Sequence, residues 1–310
     1  MNAGSPGAGR WIGYAEAVAA ACLWGSSGIF AVYLFRMGVP PESLALLRPL
    51  VGAVLLLAVS GVARPKSLRV DGSGLVILTV GGGMAVGLFQ LAYQLSTDAV
   101  GVPTTVALLY LAPAIVLAAS GPLLGEWPTR TRAGLAAITL LGVWLSVAGA
   151  EDVTTSFGAA GLTWGVIAGC SYAAYTLFGR YAVPRFGAIP TVVYSTLGAT
   201  ALLAIALPVI SGPVEIPTST AVWGLIFVFG ALTIALAQFL FFDALGRVEA
   251  SRASLATAVE PVVAAVLATC MLGQGLRPIG WLGIALVVGG VVGVGVTATV
   301  DPTEAEATES

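Results

Sequence analysis

Residues 238–274 read QFLFFDALGRVEASRASLATAVEPVVAAVLATCMLGQ, and 148 positions earlier the stretch FQLAYQLSTDAVGVPTTVALLYLAPAIVLAASGPLLGE at 89–126 carries the same punctuation. Gln90 meets Gln238, Pro113 meets Pro261, and Gly125 meets Gly273. Working outward, the offset holds without a gap. Gly82 meets Gly230, Gly142 meets Gly290, and Cys22 meets Cys170, which sets Trp24 and Ser27 opposite Tyr172 and Tyr175. One such match is trivial in a chain with 40 glycines. A single displacement from the first apolar run to the last marks an internal duplication.

The duplicated unit is built for lipid. The chain is 58% hydrophobic and 9% charged, against roughly 25% charged in soluble domains. Its apolar runs are continuous rather than alternating, which indicates an all-α polytopic membrane protein and not a barrel. Breaks at Pro, Gly and charges predict ten transmembrane helices near 11–35, 42–61, 74–96, 102–124, 132–150, 159–181, 190–211, 219–244, 251–272 and 278–298. Each half then holds five spans, an odd number, so the second enters the membrane from the opposite side: two inverted five-helix repeats. The expected organisation is a cytoplasmic segment 1–10, a first repeat 11–150, an external linker 151–158, a second repeat 159–298 and an acidic disordered tail 299–310.

Positive charge sets the expected orientation. With the N-terminus cytoplasmic, the inner side receives Arg10, Arg64, Lys66, Arg69, Arg130, Arg132, Arg180, Arg185, Arg247 and Arg252. Arg36 and Arg277 fall outside, and Arg48 lies within a span. Both termini are therefore expected in the cytoplasm. An AAAC box at 19–22 resembles a lipoprotein cleavage site, but the apolar run continues to Phe35 and reads better as the first span.

Absences narrow the chemistry. With no histidine, Ser-His catalysis, imidazole metal ligation and histidine proton relays are excluded. The single lysine, Lys66, lies in a loop, and the five aspartates are scattered singly, which leaves no intramembrane Schiff base, paired-aspartate protease or acidic metal cluster. No phosphate-binding loop of the GxxxxGK[ST] type is present, so direct ATP drive is unsupported. No enzyme activity, cofactor, metal or nucleic-acid partner is expected. Cys22, Cys170 and Cys270 fall inside spans and read as small packing residues without a disulfide framework.

The polar residues left inside the spans are the informative ones. Pro261 cannot bond the carbonyl of Thr257, and Pro113 cannot bond that of Leu109, so each half carries one interrupted helix near mid-membrane. Such a break is tolerated against protein or a water-filled cavity. Glu260 lies roughly 14 Å along its span, near the midplane of a ~30 Å core. It reads as a substrate-amine or proton site, or else as a structural acid bonded to a neighbouring helix; Thr257 and Ser254 lend hydroxyls to the same arc. Glu16 shares a face with Ser27 and is either a second acid of the pathway, a residue hydrogen-bonded at the inner rim of the bundle, or one that reaches the headgroups. Arg48 either snorkels outward or acts as an anion-binding or gating charge. Gln90, Tyr93 and Gln94 form a polar stripe that should face inward, with Gln238 as the counterpart of Gln90. Trp24, Tyr110, Tyr172 and Tyr175 either wall a cavity or simply pack. Two GxxxG pairs, Gly83–Gly87 and Gly289–Gly293, serve tight packing within the chain or dimerisation.

These residues resemble the drug/metabolite transporter superfamily, and specifically its EamA-like ten-helix branch. The carriers are LWGSSG at 23–28, Arg48, and the stretches 89–126 and 238–274 quoted above. The resemblance spans the whole chain and implies a basket in which spans one to four and six to nine surround a central cavity, while five and ten pack peripherally. It implies a secondary transporter of small organic metabolites, amino acids or amphipathic compounds among them, working by alternating access in the cell membrane. Export, uptake and uncoupled facilitation all fit that fold, and protons are the candidate coupling ion. The chain departs from the pattern at one place: Gly125-Glu126 in the first half faces Gly273-Gln274 in the second, which puts any gate needing a second acid there in doubt.

Overall fold

The computed structural model describes residues 6–112, 114–116, 118–119, 129–149, 159–245 and 259–300. Among these the architecture is all helical. The helices are α1 (Pro6–Gly25), α2 (Ser27–Arg36), α3 (Pro41–Ala63), α4 (Gly72–Val76), α5 (Gly83–Val100), α6 (Val102–Leu109), α7 (Arg130–Ala148), α8 (Ala159–Phe186), α9 (Ala188–Ile210), α10 (Thr220–Gly230), α11 (Ala237–Leu245), α12 (Glu260–Leu267) and α13 (Pro278–Val300). A π-helical turn, Ile77–Gly82, joins α4 to α5, and a second, Ala231–Leu236, joins α10 to α11. Five described stretches are long and apolar enough to cross a membrane: Trp11–Arg36, Pro41–Ala63, Gly72–Val100, Ala188–Ile210 and Thr220–Phe241. Shorter apolar helices cover Val102–Val116, Ala133–Ala148, Glu260–Leu272 and Pro278–Gly293. At 28 residues, α8 measures about 42 Å.

Local sequence explains the element ends. Asp71 caps α4, its Oδ1 accepting from the Gly74 N–H at 3.0 Å. Gly101 ends α5 at φ 78° and Gly187 separates α8 from α9 at φ 89°, a backbone region that side chains with a Cβ avoid. Ser26 divides the first span: its hydroxyl donates to the Leu23 carbonyl at 2.6 Å, and the chain resumes as α2.

The bundle is inside-out relative to a soluble protein. Val54, Val62, Met84, Trp144, Ile205, Val209 and Phe227 are exposed, while Arg48, Gln90, Gln94, Thr97, Thr104 and Thr233 are buried. Lipid is the solvent that rewards this distribution. Cys170 and Cys270 are free and lie on the exposed surface, so they do not pack inside as expected; small apolar thiols are equally at home against lipid.

Helices that correspond under the 148-residue offset run against each other. A methyl on Gly290 would meet the Leu135 carbonyl at 2.9 Å, and one on Gly142 would meet the Gly283 carbonyl at 2.7 Å, so α7 and α13 are antiparallel. Leu56 clusters with Val192 and Val193, and Leu46 with Leu203 and Leu207. That makes α3 and α9 antiparallel as well. The contacts of α5 with α8 are matched by those of α11 with α1. Of the GxxxG pairs, Gly83 and Gly87 pack on Gly198 and Ala199, whereas Gly290 and Gly293, rather than Gly289, receive α7. The first pair is used within the chain; of the second, Gly293 is and Gly289 faces open space.

Candidate functional site

The centre of the bundle is organised around Arg48. Two turns into α3, its side chain turns inward and is 4% exposed, which corrects the snorkelling alternative. A buried guanidinium costs several kcal/mol unless its N–H groups are satisfied. Nε donates to Thr233 Oγ1 at 3.1 Å, Nη1 to Gln90 Oε1 at 3.3 Å, and Nη2 to Ser27 Oγ at 3.2 Å. The guanidinium also lies 4.4 Å from the centre of the Phe229 ring, a cation–π contact worth about 2 kcal/mol when desolvated. One side chain thus gathers α2, α3, α5 and the π turn between α10 and α11.

Thr233 and Phe229 were not singled out in the sequence, although a signal existed. In the apolar run 221–242, Thr233 and Gln238 are the only hydrogen-bonding side chains besides Trp223. The Thr233 hydroxyl also donates to the Phe229 carbonyl at 2.8 Å, and the Thr233 carbonyl accepts from Trp24 Nε1 at 3.1 Å. The π turn widens the backbone at this point and aims both groups of Thr233 at the first half of the chain. Replacing Thr233 by Val should orphan the Arg48 Nε–H and cost about 1–3 kcal/mol. Thermal unfolding in detergent, with Thr233→Ser close to the parent, checks this.

A second polar link sits one helix away. Tyr110, at the turn that ends α6, donates through its hydroxyl to Glu260 Oε2 at 3.3 Å. Glu260 opens α12 and is half-buried. Pro261 falls in the first turn of that helix, where its missing N–H sacrifices no described helical bond. The two links are neighbours: a methyl on Gly25 would touch the Glu260 carbonyl at 2.9 Å, and Ser27, bonded to Arg48, is two residues on. Aromatic rings line the same region. Phe89 lies 5.8 Å from Tyr93 and 5.7 Å from Tyr172, and Trp24 lies 5.3 Å from Phe241.

The polar stripe on α5 faces inward throughout, with Gln90, Tyr93 and Gln94 all buried. Gln94 makes no protein hydrogen bond through either amide atom, and Gln238 Oε1 is likewise buried without one. Tyr175 and Glu16 are partly buried. Pro113, Thr257 and Ser254 lie outside the described residues. Gln274, which replaces the expected acid, has a task of its own: its Oε1 accepts from the Val102 N–H at 2.9 Å and so caps α6 from the other half of the chain.

Known proteins agree with this architecture. The model of the EamA-like transporter family matches the chain twice, over residues 11–148 and 159–296. The chain is similar to a Salmonella typhimurium protein described as an uncharacterized inner membrane transporter, YicL, at 27% identity over 90% of this chain and 94% of that one. It is similar also to the uncharacterized transporter YwfM of Bacillus subtilis, at 26% identity over 88% of this chain and 90% of that one. A solved crystal structure shares the fold with a TM-score of 0.68 and 19% identity, covering 94% of this chain and 98% of that one. The chain belongs to the EamA-like transporter family.

Proposed function

We propose that this protein is a secondary transporter of the cell membrane that exports small organic metabolites, such as amino acids or amphipathic compounds, by alternating access. The observation that carries the reading is the set of polar links crossing between the sequence halves inside the bundle: Arg48 to Thr233, Trp24 to Thr233 and Tyr110 to Glu260. Hydrogen bonds of this kind can open and re-form as the halves move. Two inverted five-helix repeats are supported by the antiparallel packing of α3 with α9 and of α7 with α13, helices related by the repeat offset. Oppositely inserted modules can exchange conformations, and that exchange opens a shared chamber first to one side and then to the other.

Glu260 carries the proton in this scheme, with Gln90, Tyr93, Gln94, Tyr110 and Tyr172 forming the chamber wall and Pro113, Ser254, Thr257 and Pro261 the interrupted segments. Profiling of metabolites in cells lacking and overproducing the protein tests the reading. One solute class should accumulate inside the former and outside the latter; no redistribution of any solute would overturn it. Orientation is tested separately. A fluorescent reporter at residue 310 should light up in the cytoplasm, and a periplasm-active phosphatase inserted at 151–152 should be active. The reverse pattern would reject cytoplasmic termini.

A further inference from the structure

Arg48 is a buried cation whose described hydrogen-bond acceptors are all neutral, although the Glu260 carboxylate attracts it from the neighbouring link. Its hydrogen-bond acceptors are a threonine hydroxyl, a glutamine amide and a serine hydroxyl. The carboxylate in the neighbouring link, Glu260, is bonded by the Tyr110 hydroxyl. If the task of Arg48 were only to tie helices together, a neutral donor would do so without the several kcal/mol that burying a charge costs. A guanidinium has five N–H donors. The three bonds described use Nε–H and one hydrogen on each terminal nitrogen, which leaves one N–H on Nη1 and one on Nη2. Two N–H groups on adjacent nitrogens are what a carboxylate takes in a bidentate pair. Neutral acceptors are also weaker partners than an anion, so an arriving carboxylate can displace them.

We propose that Arg48 is the carboxylate-binding subsite of the transport chamber, so that the solutes carried are organic acids or amino acids bearing a free carboxylate beside an apolar or aromatic body. The body is accommodated by rings of α5 and α8: Tyr93 lies three residues from the Arg48 partner Gln90 on the same face of α5, and Phe89 contacts both Tyr93 and Tyr172. Ser27 and Gln90 act as placeholders that hold the guanidinium in place when the chamber is empty. This inference rests on the transport reading for its biological meaning, but its test does not depend on flux.

The experiment measures binding to the purified full-length protein in nanodiscs, by thermal shift and by scintillation proximity, for 3-phenylpropanoate, L-phenylalanine and 3-phenylpropanamide. The two carboxylates should bind about tenfold or more tightly than the amide, in keeping with a charge-assisted bidentate pair. Arg48→Gln should bring acid and amide within about twofold of each other, and Arg48→Lys should retain part of the preference, a point charge replacing the fork. Equal binding of acid and amide by the parent protein, binding of neither acid, or an acid preference that survives Arg48→Gln would each overturn the proposal. The comparison within the parent protein stands even if Arg48→Gln does not fold. Acid preference without flux would sink the transport reading and leave the subsite intact; flux of solutes lacking a carboxylate would do the reverse.

Discussion

Glu260→Gln should reduce pH-gradient-driven flux in reconstituted vesicles to the level of protein-free vesicles, while the protein still inserts and purifies as a folded species. The amide preserves the size of the side chain and keeps an oxygen to accept from Tyr110, so the link to the end of α6 survives. What disappears is the negative charge and, with it, the gain and loss of a proton. No histidine can substitute, and Lys66 lies in the loop after α3, outside the bundle. Exchange of solute across the membrane without a gradient should persist, because the proposed scheme assigns the proton to coupling and not to solute binding. Glu16→Gln should have a smaller effect, since Glu16 lies midway along α1, about three turns before Ser27 and its bond to Arg48. Proton dependence unchanged in Glu260→Gln would remove Glu260 from the coupling step, and simultaneous loss of exchange would assign it to solute binding instead.

Much of the fold was legible because lipid imposes a simple rule on sequence. Apolar runs bounded by Gly, Pro and charge predicted helices that agree with those described, usually to within a few residues. The constant offset pointed to equivalent pairs such as Gly142 and Gly290, and these pack in matching ways. The inward stripe of Gln90, Tyr93 and Gln94 was equally readable, since polar side chains at helical spacing have nowhere else to go. The direction of Arg48 was not. A long side chain near a membrane surface can reach either way, and the decision rests on tertiary acceptors, Thr233 above all, that lie 185 residues away in sequence. The π turns left no trace in composition either. Two of them occur in corresponding spans of the two halves but six residues out of register, Ile77–Gly82 against Ala231–Leu236, and a third, Ala268–Leu272, follows α12, so the repeat offset could not have located the first pair. Gln274 looked like a lost acid and is a helix cap; an amide oxygen serves an N–H as a carboxylate does, and the difference shows only once Val102 is placed beside it.

Gly198→Ala should be among the most damaging single-methyl changes in the protein, and the reason lies in the first of those π turns. Thr79 sits in the middle of that turn, its hydroxyl donating back to the Leu75 carbonyl at 2.7 Å. Its own carbonyl presses against α9 so closely that a Cβ on Gly198 would stand 1.9 Å from the oxygen. Both partners are backbone, so no side-chain rotation can relieve the overlap, and a Cβ on Gly83, on the next turn, would itself stand 2.8 Å from the Gly198 carbonyl carbon. Separating the helices to fit the methyl would open the neighbouring contacts of Gly82 with Ser195 and of Gly87 with Ala199. Overpacking of this kind costs about 1–3 kcal/mol even where side chains can adjust, and the upper end is expected here. Gly224→Ala is the control. It lies in α10 with nothing within 4 Å of the added carbon, and by helix propensity it should be neutral or stabilising by up to about 1 kcal/mol. Thermal unfolding of both variants in the same detergent decides the matter. A Gly198→Ala protein as stable as the parent would mean that the seam between α5 and α9 yields freely. If instead Gly198→Ala is destabilised and also slow in solute exchange, the bare-backbone crossing is a surface on which the two halves slide. A π turn and a run of glycines would then serve one purpose, close contact without interlocking side chains.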